Sequence, residues 1–141
     1  MPSDANKNQK QRKGLVYFVD RSLPKKSLLA ALITEGCIAQ HHDDLFPENA
    51  PDTDWLQAAG KNGWIVLSHD RRIGRNPLEI QCLYRAGVCA FMPASRGGLS
   101  GQETTDIIIN AIPAIERFYE TNKPPYIARI YRDGSVKKWR G

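Results

Sequence analysis

The sequence is short of several things, and each shortage removes a class of function. No apolar run approaches the roughly 20 residues that a membrane span requires, and the opening stretch, MPSDANKNQKQRKG, has no apolar segment of the kind a secretory signal carries. A cytoplasmic protein with no membrane partner is therefore expected. Only three cysteines are present, Cys37, Cys82 and Cys89, with no CxxC pair. An odd count at such spacing argues against both a disulfide framework and a zinc site. The three histidines, His41, His42 and His69, fit no HExxH pattern, and SRGGLSG, residues 95–101, matches neither GxxxxGK[ST] nor GxGxxG and reads as a connector. No internal repeat and no low-complexity segment is visible.

The 141 residues, 41% apolar and 25% charged, suit one soluble domain with a real core. The net charge of +5 suggests a nucleic-acid partner until it is divided along the chain. Residues 14–136 hold 13 basic and 14 acidic groups, so the excess lies at the ends. Residues 1–13 read as a disordered basic tail and residues 137–141, with Lys137, Lys138 and Arg140, as a second basic tail. Such tails can touch phosphate non-specifically, and solubility accounts for them as well.

Between the tails, strand and helix patterns alternate. LVYFV after Gly14 reads as a strand buried on both faces, ending at Asp20. A helix begins near Pro24, with Leu28, Leu29, Leu32 and Ile33 on its inner face and Gly36 as its stop. CIAQ is a second strand, and residues 41–51, HHDDLFPENAP, read as a loop. Asp52 then serves as a candidate N-cap for a helix with Trp55, Leu56 and Ala59 inward, followed by the strand WIVLSH, which meets Asp70. PLEIQCLYRAG predicts a helix with Leu78, Cys82 and Leu83 inward, and VCAFMP a fourth strand. Ser100 and Glu103 have capping-box spacing. They open an apolar helix to about Tyr119, kinked at Pro113. YIARIYRDGSVKKW carries a hairpin signal at Asp133-Gly134. The order implies an α/β fold with a mainly parallel central sheet flanked by helices in three layers.

In such sheets ligands gather at the carboxyl ends of the strands. Asp20 ends strand one and Asp70 ends strand three, while Asp52 and Asp54 open the helix feeding strand three. If strands one and three are close, these acids converge. Carboxylates held together repel unless a cation lies between them, and hard oxygen donors suit Mg²⁺ or Mn²⁺, which bind phosphate oxygens and activate water. Each acid also has a plainer reading: Asp20 and Asp52 as helix caps, Asp54 as a complement to the helix dipole, Asp70 as a turn residue. Arg71, Arg72 and Arg75 follow Asp70, and Arg21 follows Asp20. Arginine forks suit phosphate, although a solvated turn is an equal reading of the first three.

VYFVDRSLP and PDTDWLQAAGKNGWIVLSHDRRI together resemble the PIN-like domain family, particularly compact bacterial nucleases of the VapC toxin type. The likeness lies in an apolar strand, an Asp and Leu-Pro, then a helix-start Asp, alanines, a Gly, an apolar strand and Ser-x-Asp. Motifs cover about residues 15–92. The resemblance implies a PIN-like domain over residues 14–136, with Mg²⁺ or Mn²⁺ held by Asp20, Asp52 and Asp70, and Asp54 an adjacent candidate. It also implies an endoribonuclease acting on RNA, with an antitoxin as cognate partner and a homodimer as assembly. Larger relatives offer a further acid between the first two, and here only Asp43, Asp44 and Glu48 are available. Arg21, Arg71, Arg72 and Arg75 would then contact RNA.

Two readings compete. A non-catalytic RNA- or protein-binding module would keep the fold without the chemistry. A phosphoacceptor receiver domain would also place an acid after strand three, but it needs an acidic pair after strand one and a Lys after strand five. Asp20 is followed by Arg21, and YIARIYRDG offers no such Lys.

Overall fold

In the computed structural model, which describes residues 15–94 and 98–140 and only the backbone of 71 and 72, strand and helix alternate as the sequence implies. The order is β1 (Val16–Val19), α1 (Lys25–Thr34), β2 (Ile38–His41), α2 (His42–Leu45) and α3 (Asp52–Asn62), then β3 (Ile65–Leu67) and a 3-10 turn (Arg71–Gly74). There follow α4 (Pro77–Ala86), β4 (Cys89–Pro93), α5 (Gly101–Asn110), α6 (Ile112–Thr121), β5 (Tyr126–Ile130) and β6 (Val136–Arg140). One six-stranded sheet runs β2-β1-β3-β4-β5-β6, and every pairing is parallel except β5 with β6.

Alternation along the strands splits the core into two layers. Tyr17 and Val19 of β1 face one side with Leu28 and Leu32 of α1, Ile107 and Ile108 of α5, and Ile112 and Ile115 of α6. Phe18 faces the other side with Trp55, Leu56 and Ala59 of α3, Ile73, and Leu83 of α4. The Phe18 ring stacks against Trp55 and Trp64, with centroids 5.3 and 5.2 Å away. α3 and α4 cross closely because Gly60 lies against Ala86, where any Cβ would run into the Ala86 carbonyl.

Several expectations are corrected. The segment 41–51 contains one turn of helix, α2, capped by the His41 ring. Asp52 is the first residue of α3 and Pro51 its N-cap, with no side-chain cap bond. Leu78 is 72% exposed and Ile33 61%, because each sits on the outer face of its helix. The late helix breaks at Ala111 into α5 and α6, and Pro113 sits in the first turn of α6, where its missing N–H costs nothing. Lys137, Lys138 and Arg140 stand in β6, an edge strand, instead of a tail. The Ile-rich faces of α5 and α6 pack into the core. Residues 1–13, read as a disordered tail, lie outside the described residues, as do positions 95–97 of the connector and residue 141.

Candidate functional site

β1 lies between β2 and β3, so the crossover from β1 to β2 and the next, from β2 back across to β3, run in opposite directions along the sheet. This is the topological switch point of the sheet, where the loops part and leave a crevice at the strand ends. The register Val19↔Leu67 brings Asp20 beside Ser68, and the Asp20 N–H extends the ladder by donating to the Leu67 carbonyl at 3.0 Å. Asp70 follows two residues on. The condition set by the sequence, that strands one and three be close, is met.

Asp20 is 5% exposed. A carboxylate this deep needs donors, and two serines supply them: Ser22 Oγ donates to Asp20 Oδ2 at 2.7 Å and Ser68 Oγ donates to the same oxygen at 2.9 Å. Each hydroxyl has one proton, so the 3.3 Å approach of Ser22 Oγ to Ser68 Oγ is a contact between two acceptors. Each serine oxygen also accepts a backbone N–H, His69 onto Ser22 at 2.8 Å and Asp70 onto Ser68 at 3.0 Å. The result is a closed lacing between the loop after β1 and the end of β3. It fixes the backbone of Asp70 relative to the carboxyl group of Asp20. Sequence reasoning gave the two serines no role, although Asp20-Arg21-Ser22 and Ser68-His69-Asp70 form a mirrored pair, Asp-x-Ser and Ser-x-Asp, at adjacent strand ends.

The other sequence candidates are placed differently. Asp52 stands in the first turn of α3, where its Oδ1 accepts the Trp55 indole N–H at 3.1 Å. Asp54, two residues on, is exposed. Among the described residues no three His, Cys, Asp or Glu side chains come together as a metal-holding group, so Asp20, Asp52 and Asp70 do not form one cluster. The three spare acids are all engaged in ion pairs: Asp43 with Arg21 at 3.4 Å, Glu48 with Arg21 at 3.3 Å and Asp44 with Lys25 at 3.1 Å. Arg21 also donates to the Glu48 carbonyl at 2.6 Å, so its guanidinium braces the β2–α3 segment. Arg75 is exposed, and the side chains of Arg71 and Arg72 lie outside the described residues.

His41 and His42 are buried beside this brace. The His41 Nδ1 accepts the Asp43 N–H at 3.0 Å, which requires a ring without a proton on that nitrogen. Burial also pushes the His41 pKa below its ordinary value, so the 3.8 Å approach of its ring to the Asp43 carboxylate is not an ion pair at neutral pH. The Asp43 pKa is lowered, first by its hydrogen bond with His42. These histidines shape the loop.

What remains at the switch point is the Asp20 carboxylate with two serine hydroxyls on it and the backbone of Asp70 fixed beside them. The hydroxyls occupy Asp20 Oδ2, and no hydrogen bond is found for Asp20 Oδ1 among the described residues. Mg²⁺ usually keeps several waters and takes one or two carboxylates plus substrate phosphate oxygens. The donor set fits that mode of binding, and it does not fit a cage of three carboxylates.

A family model described as a PIN-like domain matches residues 15–95, more than half of the chain. No curated protein and no solved structure matches it. The matched region spans β1 to β4 and therefore contains Asp20, Asp52, Asp54 and Asp70 together with both serines.

Proposed function

The chain belongs to the PIN-like domain family, and from that premise we propose that it is a metal-dependent endoribonuclease whose centre is Asp20 and Asp70. The observation that carries this reading is the meeting of the two carboxylates' strands at the switch point, laced by Ser22 and Ser68. Asp20 Oδ1 and Asp70 would hold Mg²⁺ or Mn²⁺. When bound, such an ion supplies a more acidic water and neutralises charge on the phosphoryl group. The chain's own part is positional. Ser22 and Ser68 hold the Asp20 carboxyl in one rotamer, and the Ser68 bond to the Asp70 N–H sets the second acid. Arg71, Arg72 and Arg75, which follow Asp70 in sequence, would contact the phosphate backbone, and Asp52 would support the site through Trp55, which packs on Phe18 two residues before Asp20.

A cognate antitoxin belongs to this reading, and the reading frame beside the gene is where it would be found. The experiment is direct. Purified protein is incubated with RNA and Mn²⁺, with and without chelator, alongside Asp20→Asn and Asp70→Asn. Cleavage should require the metal and fall at least a hundredfold in both variants. Equal cleavage by the variants overturns the site.

One observation favours a second reading, a non-catalytic RNA-binding module. Asp52 is committed to the Trp55 indole, and the third carboxylate is not delivered. Metal-independent RNA binding with no cleavage by any form would select it.

A further inference from the structure

The basic residues that read as a tail in the sequence are held on an edge strand. The β5–β6 hairpin and its turn, residues 126–140, contain Arg129, Arg132, Lys137, Lys138 and Arg140 against one acid, Asp133. That acid is taken up locally by Ser135, whose Oγ and N–H donate to its Oδ1 at 2.6 and 2.9 Å. The hairpin lies outside the part of the chain matched by the family model.

Three features set this surface apart from an ordinary solvated face. First, Arg129 and Lys137 are directly paired across the strands, an arrangement of like charges that destabilises a sheet. Second, the cations are stacked on rings instead of paired with acids. Arg129 lies 4.1 Å and Arg140 4.7 Å from the centre of the Trp139 ring, and Lys137 is 5.7 Å from that of Tyr131. Among the described residues none of the three is in an ion pair with a carboxylate. A guanidinium held over an aromatic ring by cation–π attraction, with no carboxylate partner, still has N–H donors to offer a phosphate. Third, the platform is attached to the candidate site. Trp139 packs so closely on Gly74 that a Cβ there would collide with its ring, and Arg140 Nε donates to the Gly74 carbonyl in a long bond of 3.4 Å. Gly74 ends the 3-10 turn that begins immediately after Asp70, with Ile73 N–H bonded to the Asp70 carbonyl at 3.2 Å.

We propose that the β5–β6 hairpin is a docking platform for the phosphate backbone of RNA. Arg129, Lys137 and Arg140 hold the strand, and Trp139 acts as the scaffold that spreads the two guanidiniums. This deepens the nuclease reading by naming the surface that holds the substrate, and it rests on that reading only for the identity of the polyanion. Trp139 is already engaged by Gly74 and two arginines, so it orients the cations and does not stack on a base.

The test is binding, measured by fluorescence anisotropy of a labelled RNA oligonucleotide on the full chain in chelator, where cleavage plays no part. The variant Arg129→Gln/Lys137→Gln/Arg140→Gln should bind at least tenfold more weakly. Its log-log salt slope should be shallower by about 2, given about 0.7 per phosphate contact on a single strand. Because two of those residues stack on Trp139, Lys137→Gln/Lys138→Gln changes exposed side chains alone and should lower the slope by about 1. A control, Lys61→Gln/Arg117→Gln/Lys123→Gln, removes equal charge on other elements and should change affinity less than threefold. The proposal is overturned if the folded Lys137/Lys138 variant binds like the wild type, or if the control loses as much as the hairpin variant. Preferential binding of poly-glutamate over RNA would overturn it too, and would point to an acidic protein partner. Failure of the nuclease reading leaves a different trace, RNA binding with no cleavage.

Discussion

Ser68 connects more of the site than its size suggests. It is fully buried, its hydroxyl proton goes to Asp20 and its oxygen receives the Asp70 N–H. Ser68→Ala therefore removes a donor to a buried carboxylate and leaves a backbone N–H without its acceptor. A hydrogen bond to a charged group contributes about 1.5–3 kcal/mol, and the part-buried Asp70 N–H left without its acceptor adds up to about 1 kcal/mol more. The expected loss is about 3 kcal/mol, read as a shift in the urea midpoint at unchanged slope. RNA cleavage at a temperature where the variant remains folded should fall as well, because the Asp20 carboxyl is then held by Ser22 alone. Threonine keeps the hydroxyl, and Ser68→Thr should recover cleavage in part. A Ser68→Ala protein as stable as the wild type would show that the lacing carries no weight. The serines escaped notice in the sequence because a hydroxyl beside an acid is common, and its value arises only when β1 and β3 pair.

At the scale of elements, the legible features were those written in local pattern. The β1 and β3 strands and the capping box at Ser100 and Glu103 depend on neighbours in sequence, and each stands where its pattern put it. What was not legible depends on partners far along the chain. Leu78 is apolar at a helical spacing, yet the close crossing of α3 and α4 at Gly60 turns it outward. The hairpin pattern of YIARIYRDGSVKKW already held Lys137 and Lys138, but that they and Arg140 form the edge of the sheet follows from a strand order the sequence does not display. Asp52 was readable as the opening acid of a helix, but its bond to Trp55 was not. The short helix α2 is a further case, since its N-cap is a histidine ring. That choice makes the segment sensitive to acid. Unfolded His41 takes up a proton near its ordinary pKa of 6.5, whereas burial lowers the folded value against the opposing pull of Asp43. Its contribution to stability is therefore complete above pH 6.5 and is lost as the pH falls from there through the folded value. Lowering the pH from 7.5 to 5 should reduce the urea midpoint. In His41→Asn, which keeps a capping acceptor and cannot titrate, that decline should be shallower. Equal declines in the two proteins would remove His41 as the cause.

For the whole molecule, the question is whether the family region is also the folding unit. Residues 15–95 contain β1 to β4, α1 to α4 and every acid of the candidate site. One face of their sheet is largely covered by α3 and α4, with Ile127 of β5 and Trp139 of β6 joining that layer from beyond residue 95. The other face is not, because Tyr17, Val19, Leu67 and Phe91 are buried against Ile107, Ile108, Ile112 and Ile115, all from beyond residue 95. Removing α5 and α6 would return four isoleucines' worth of contact to water, at about 1.5–3 kcal/mol for each buried side chain. A small domain has about 5–15 kcal/mol of total stability, so the deficit is of the same order as the whole. Loss of β5 would also unpair β4 along Cys89–Pro93, leaving a fully buried strand with an open edge. A chain ending at residue 95 should therefore lack a cooperative unfolding transition and show the poorly dispersed amide spectrum of an unfolded or molten chain. A chain ending at residue 131 keeps α5, α6 and β5 and should fold, though less stably, because the edge of β5 and the packing of Trp139 on Gly74 are lost with β6. A sharp two-state melt of the 95-residue chain would show that the matched region folds by itself and that the isoleucine face is an addition to a domain already complete.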